Sequence, residues 1–207
     1  MERYPLLGNY FNIKIYENVF FALCFAMSAI LTAIAQNPIE YRLNSNYGFS
    51  DPNGKKNIIV NFPGKTAREI YTKMAVNIGV LYYQPSEVMY GVQDALISVS
   101  GYSSDFCRNG DQKWAAKYDL KFIIQDEKVL ILNPTIRNLT LTERRTLSNL
   151  ASNLSFVDFI NQYWYNREVG QFVSSEANNM SRCESEISRI TNQILGLSPI
   201  GIIPENW

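Results

Sequence analysis

Residues 58–83, IIVNFPGKTAREIYTKMAVNIGVLYY, constrain the fold more than any other stretch. Ile58, Ile59 and Val60 are β-branched and Phe62 closes the run, which suits a pleated strand. Pro63-Gly64 breaks it. Thr66 and Glu69 then stand at the T-x-x-E spacing of a capping box, in which two orphan N–H groups at a helix start are satisfied reciprocally. Behind that cap Ile70, Tyr71, Met74, Ala75, Ile78 and Leu81 recur at steps of three and four, giving one apolar stripe. A strand, a tight turn and an amphipathic helix are thus written into consecutive residues.

Pro85 ends the helix. Residues 88–92 and 96–101 read as short strands around Gln93-Asp94-Ala95, and 118–125 with 129–132 as a second hairpin turning at Asp126-Glu127-Lys128. Between them, 102–117 mixes Ser, Gly, Asn and charges and is expected to be a long loop carrying Cys107 and Trp114. Asn133-Pro134 closes the ladder, since proline cannot donate to it. From Asn138 the pattern is helical. Thr140 and Glu143 repeat the capping box ahead of Leu147, Leu150, Ala151 and Leu154, and Phe156, Phe159, Ile160, Tyr163 and Trp164 continue the spacing up to Gly170. Met180, Cys183, Ile187, Ile190, Ile194 and Leu197 predict a last helix packed on the domain and ended by Gly196 and Pro199. The order is β-α-β-β-β-β-α on one antiparallel sheet, an α+β class, followed by a helical C-terminal segment.

The segments NFPGKTAREIYTKM, YYQPSEVM, the hairpin around Asp94 and YDLKFIIQDEKVLIL resemble an exported Bacteroidetes family, the domain of unknown function with TBP-like fold. The similarity spans residues 57–137. The resemblance implies a TBP-like fold and no assigned activity. One departure stands out. The family's last hairpin turns through Lys-Asp-Gly into alternating basic and aromatic residues, where this chain has Gln125-Asp126-Glu127-Lys128 and then Val129-Leu130-Ile131.

Residues 19–35, VFFALCFAMSAILTAIA, are apolar, uncharged and end in the small-x-small pattern Ala33-Ile34-Ala35. We expect 1–35 to be a cleaved signal peptide rather than an uncleaved anchor, with export to the periplasm or cell envelope. Cys24 follows Phe21-Ala22-Leu23, which lacks the small residue that lipoprotein processing needs, so it is read as a small hydrophobe of that segment. Residues 36–56, with Asn-Pro, Asp-Pro and Asn-Gly steps, read as a linker. The expected division is then 1–35 signal peptide, 36–56 linker, 57–154 α+β domain and 155–207 helical extension. Cys107 and Cys183 would share an oxidising space, where a disulfide and two free thiols are both open.

The chain has no histidine, which excludes imidazole as a general base and leaves zinc only unusual ligand sets. It holds no Gly-rich phosphate loop, no G-x-S-x-G and no H-E-x-x-H, and no cofactor is expected. Lys+Arg and Asp+Glu are both 19, so no net field draws the chain to nucleic acid. Two readings remain: a non-catalytic binding module for an unknown envelope protein or ligand, and a secreted hydrolase using an unrecognised carboxylate or a Cys107 nucleophile. A clustered pair of carboxylates around a deep pocket would favour the hydrolase, and a flat exposed apolar face the module; the strands themselves do not alternate. Ile123 points opposite to Phe122 and Ile124, and 129–132 is apolar on both sides. Ile123, Leu130 and Leu132 would expose a patch that soluble monomers rarely tolerate. Its expected cover is the chain's own tail, 156–197; the alternative is a partner, which would make that face functional. Tyr163 and Trp164 are a second candidate contact surface.

Overall fold

Residues 36–56 have the composition of a linker, yet 39–50 pack against the core while 52–56 stay exposed. The computed structural model describes residues 37–142 and 153–198. The expected signal segment, Glu143 of the second box, the residues Leu147, Leu150 and Ala151 behind it, and Pro199 lie outside those residues. The chain divides after Asn37 into two units, and the second is the one described. β1 (Arg42–Leu43) and β2 (Phe49–Ser50) form a small antiparallel pair, and Ile39, Tyr41 and Phe49 are buried. One stripe of the C-terminal helix holds this segment by its backbone. The N–H groups of Leu43, Tyr41 and Ile39 donate to Glu184 Oε1 at 2.8 Å, Ser188 Oγ at 2.9 Å and Asn192 Oδ1 at 2.7 Å. Asn192 Nδ2 also donates to the Ile39 carbonyl at 2.8 Å. Four helical residues rise about 6 Å and two strand residues about 6.7 Å, so side chains at i, i+4 and i+8 meet alternate N–H groups. Polar composition here marks a held strand, not a tether.

The strand–turn–helix unit forms as its residues dictate. β3 (Ile58–Asn61) leads through Gly64, at φ 72°, into α1 (Ala67–Leu81). The capping box is present: Glu69 N–H donates to Thr66 Oγ1 at 3.3 Å, and Thr66 N–H to Glu69 Oε2 at 2.9 Å. The acidic turn after Gln125 explains the missing glycine. Glu127 takes the left-handed φ of 62° itself. Asp126 Oδ1 accepts from Ala67 N–H at 2.7 Å, and Glu127 Oε1 from Gly64 N–H at 2.9 Å. Two carboxylates thus face the positive end of α1, a use that a glycine could not supply.

A short turn of helix, α2 (Pro85–Val88), is followed by β4 (Met89–Val92), β5 (Leu96–Asn109), β6 (Gln112–Gln125), β7 (Lys128–Ile131), β8 (Thr135–Leu141) and β9 (Asn153–Ser155). The strands run antiparallel in the order β3-β7-β6-β5-β4, with β8 continuing along β6 and β9 outside it. The expected loop at 102–117 is instead strand: β5 and β6 each run 14 residues to a turn at Gly110. Phe106, Cys107, Trp114 and Ala116 face inward there, while Ser103 donates to Glu186 Oε1 at 2.9 Å and Asp105 binds Arg108 and Arg182. A bulge between Ser103 and Cys107 shifts the register. The helix expected from Asn138 is also corrected. Thr140 lies in β8, donating to Asn153 Oδ1 at 2.8 Å, and Leu154 lies in β9.

Beyond β9 come α3 (Phe156–Phe159), a π-helical turn (Ile160–Trp164), the pair β10 (Tyr165–Asn166) and β11 (Gln171–Phe172), and α4 (Ala177–Leu195). Gly196 ends α4 at φ 70°. Ile70, Met74 and Ile78 of α1 and Cys183, Ile187, Ile190 and Ile194 of α4 are buried with Ile97, Val99, Leu120, Phe122, Val129 and Ile131 in one core. No described helix is long and apolar enough to cross a membrane.

Candidate functional site: the open face of the sheet

Strand parity sends Val99, Leu120, Phe122, Val129 and Ile131 toward α1 and α4, and so sends their neighbours to the other face. On that face Ile59, Leu130, Ile123, Leu96 and Val92 are successive cross-strand partners, one from each of β3, β7, β6, β5 and β4. They form a continuous apolar row across five strands. Its ends stand clear, Ile59 at 63% and Val92 at 61% exposure, while the middle three are half-buried. The ends belong to the edge strands β3 and β4, and the middle three are flanked by a strand on each side.

Polar rows border it. Asn61, Lys128 and Gln125 pair on one side. On the other, Tyr90, Ser98 and Lys121 pair, and Leu132 joins them by donating its N–H to the Lys121 carbonyl at 2.9 Å. One row further out, Ser100, Asp119 and Thr135 pair. Arg137 grips the Asp119 carboxylate through Nε and through Nη2 at 2.9 Å, and Ser100 Oγ donates to it as well. Partial burial works to raise the Asp119 carboxyl, but the bonds from Arg137 and Ser100 outweigh it and hold the group below the usual carboxylate range.

Ile123 and Leu130 are thus direct neighbours in the row, and Leu132 lies one row away, as their sequence pattern predicts. The expected cover is not where the sequence placed it. α4 packs beside α1 on the other face, with Asn77 Nδ2 donating to the Ile194 carbonyl at 3.0 Å. Trp164 is fully buried and so is no contact surface, and Tyr163 is half-buried. The π-helical turn drives both rings inward, Trp164 at 4.9 Å and Tyr163 at 5.0 Å from Phe159, with Tyr163 at 6.1 Å from Trp114. Ile59, Leu96 and Val92 were missed. The unbroken β-branched run Ile58-Ile59-Val60 carries the same signal as Phe122-Ile123-Ile124.

Two other places hold reactive side chains. Tyr82 Oη lies 2.7 Å from Tyr118 Oη beside an open cleft of about 910 Å³ lined by Val80, Tyr83, Glu87 and Tyr102. Burial pushes the Tyr82 hydroxyl up to about 12 and holds Tyr118 well above the ordinary tyrosine value. Cys107 and Cys183 are buried and unbonded to each other, and burial pushes both thiols up, away from the reactive thiolate. Among the described residues no cluster of three or more His, Cys, Asp or Glu could hold a metal ion.

The class so defined is an α+β protein with an antiparallel sheet and, among the described residues, helices over one face only. No family model matches the chain, and no curated protein does. Two solved structures are similar to it. One is a TBP-like protein from Parabacteroides distasonis, with 9% identity and a TM-score of 0.48 over 68% of this chain and 89% of that one. The other is a DUF4468 family protein from Bacteroides ovatus, with 12% identity and a TM-score of 0.48 over 71% of this chain and 88% of that one.

Proposed function

We propose that the protein is exported and acts as a non-catalytic binding module of the cell envelope, with the open sheet face as its contact surface. The observation that carries this reading is the five-residue apolar row, which no described element covers. Fully removing such a side chain from water is worth roughly 1.5–3 kcal/mol, and most of that for Ile59 and Val92, with a part for the half-buried three, is left for a partner. Export is supported by the uncharged run 19–35 and its Ala33-Ile34-Ala35 ending. The hydrolase reading has less behind it, since its candidate nucleophile Cys107 is fully buried with its thiol pushed up. Two measurements test the proposal. N-terminal sequencing of the protein recovered from the periplasm should begin at Gln36, and a full-length cytoplasmic product would refute export. A photo-cross-linking residue at Ile59 should form adducts in intact cells while one at Val76, equally exposed on α1 at 60%, should not. Equal behaviour at the two positions would refute the open face as the contact surface.

A further inference from the structure

The open face also constrains what fits it. The row from Ile59 to Val92 crosses five strands, so it spans four inter-strand spacings, about 19 Å. It is one residue wide except on its Lys121 side, where Leu132 and Tyr90 add apolar surface. Lys128 borders it two residues along β7 and Lys121 two residues along β6, on opposite sides, which sets their backbone positions about 13 Å apart across the row. Both lysines are exposed, and Lys117 adds a third exposed cation further along the face. The one carboxylate among these paired rows, Asp119, is already held by Arg137. The surface is therefore an apolar line with one exposed lysine on each margin, although the chain as a whole is neutral.

We infer that the occupant is an amphipathic helix of a partner protein, laid along this row, with one apolar stripe and acidic residues on both flanks. This rests on the reading of the open face as the contact surface and names the chemistry of what it contacts. A helix satisfies its own backbone, so it can lie on a sheet face that offers no free N–H or C=O. About 13 residues of helix span the row, and its diameter of about 10–12 Å fits between the margins. An extended segment laid there would leave its own backbone groups unpaired against side chains. A second copy of this face would set lysines against lysines. A lipid surface needs protruding apolar side chains, whereas Leu96, Ile123 and Leu130 are half-buried. Nucleic acid would place phosphates or base edges on a central row with no donors.

The test places a photo-cross-linking residue at Ile59 and, separately, at Val92 in the full chain in its own cells, and maps each adduct on the captured molecule. The expected result is one partner segment, acidic on both flanks of an apolar stripe, with the two attachment points about 11–14 residues apart. A spacing near 6 residues would mean an extended occupant and overturns the inference. So does a basic segment, a second copy of this chain, a lipid or a nucleic acid. Lys121→Glu with Lys128→Glu should lower both adduct yields at least tenfold. In the unsubstituted chain, raising the ionic strength before irradiation should lower them too, since exposed charge pairs are screened. Yields indifferent to both treatments overturn the inference while leaving the contact surface intact. No adduct at Ile59 or Val92 refutes the contact surface itself.

Discussion

Ile123 and Ile124 are the same residue, one position apart in the same strand, and they have different fates. Ile124 is 4% exposed under the helices, while Ile123 is half-buried on the far side. The contrast holds across the sheet: Val129 against Leu130, Val60 against Ile59, Ile97 against Leu96. Both faces carry apolar side chains, and among the described residues only one has a helical layer. What separates a core from a candidate binding surface here is the neighbour, not the residue.

The largest test of that contrast is a pair of truncations. Phe122→Ala should cost about 3–5 kcal/mol, because it opens a cavity in the packed face. Ile123→Ala should cost well under half as much. Denaturant midpoints that fall equally would mean the second face is covered as well. The covering layer is tested next through Asn192, which gives Ile39 both of its side-chain bonds. Asn192→Ala leaves a buried N–H and C=O unpaired and should cost about 1–3 kcal/mol, with faster amide exchange at Ile39 and Tyr41. At the start of α1, Thr66→Ala should cost about 0.5–2 kcal/mol. The two acidic side chains of the 126–127 turn still face that helix end, so a value in the lower half of this range would sharpen their role.

Smaller effects belong to the open face. Asp119 has a depressed carboxyl, so its ionised form stabilises the fold above the ordinary carboxylate value, and that stability is lost as pH falls through the folded value. Acid unfolding of Asp119→Asn should therefore be less steep below about pH 4 than that of the parent. A profile of unchanged slope would show that the Arg137 clamp contributes nothing to the fold. Ile59→Ser should change stability by no more than about 0.5 kcal/mol while abolishing adducts elsewhere on the row. A large loss of stability there would place Ile59 in the core after all.

The elements legible in the sequence are those whose partners lie within four residues. The Thr66–Glu69 box, the α1 stripe, the turn at Asp94 with its φ of 61°, and the end of α4 at Gly196 all depend on adjacent backbone geometry. The non-alternation of 122–124 and 129–132 likewise shows in the sequence that both faces carry apolar groups. The misses have the opposite character. β5 and β6 look like loop because Ser103 and Asp105 find their partners on α4, 83 and 77 residues away. Residues 39–43 look like tether because Asn192, Ser188 and Glu184 hold them from more than 140 residues away. Thr140 heads a capping pattern, but Leu139 is buried beside β6 and strand pairing prevails over the local signal.

The sequence by itself determined that α4 would have an apolar stripe and that the sheet would have two apolar faces to offer it. Which face it took was decided only in the tertiary structure. Hydrophobic burial is non-directional, so Cys183, Ile187, Ile190 and Ile194 would gain from either surface. The choice belongs to directional bonds: Asn77 to the Ile194 carbonyl, Ser103 to Glu186, and the Glu184–Ser188–Asn192 stripe to the backbone of 39–43. Those partners exist on one side of the sheet, and there the Glu184–Ser188–Asn192 stripe packs with its hydrogen bonds made.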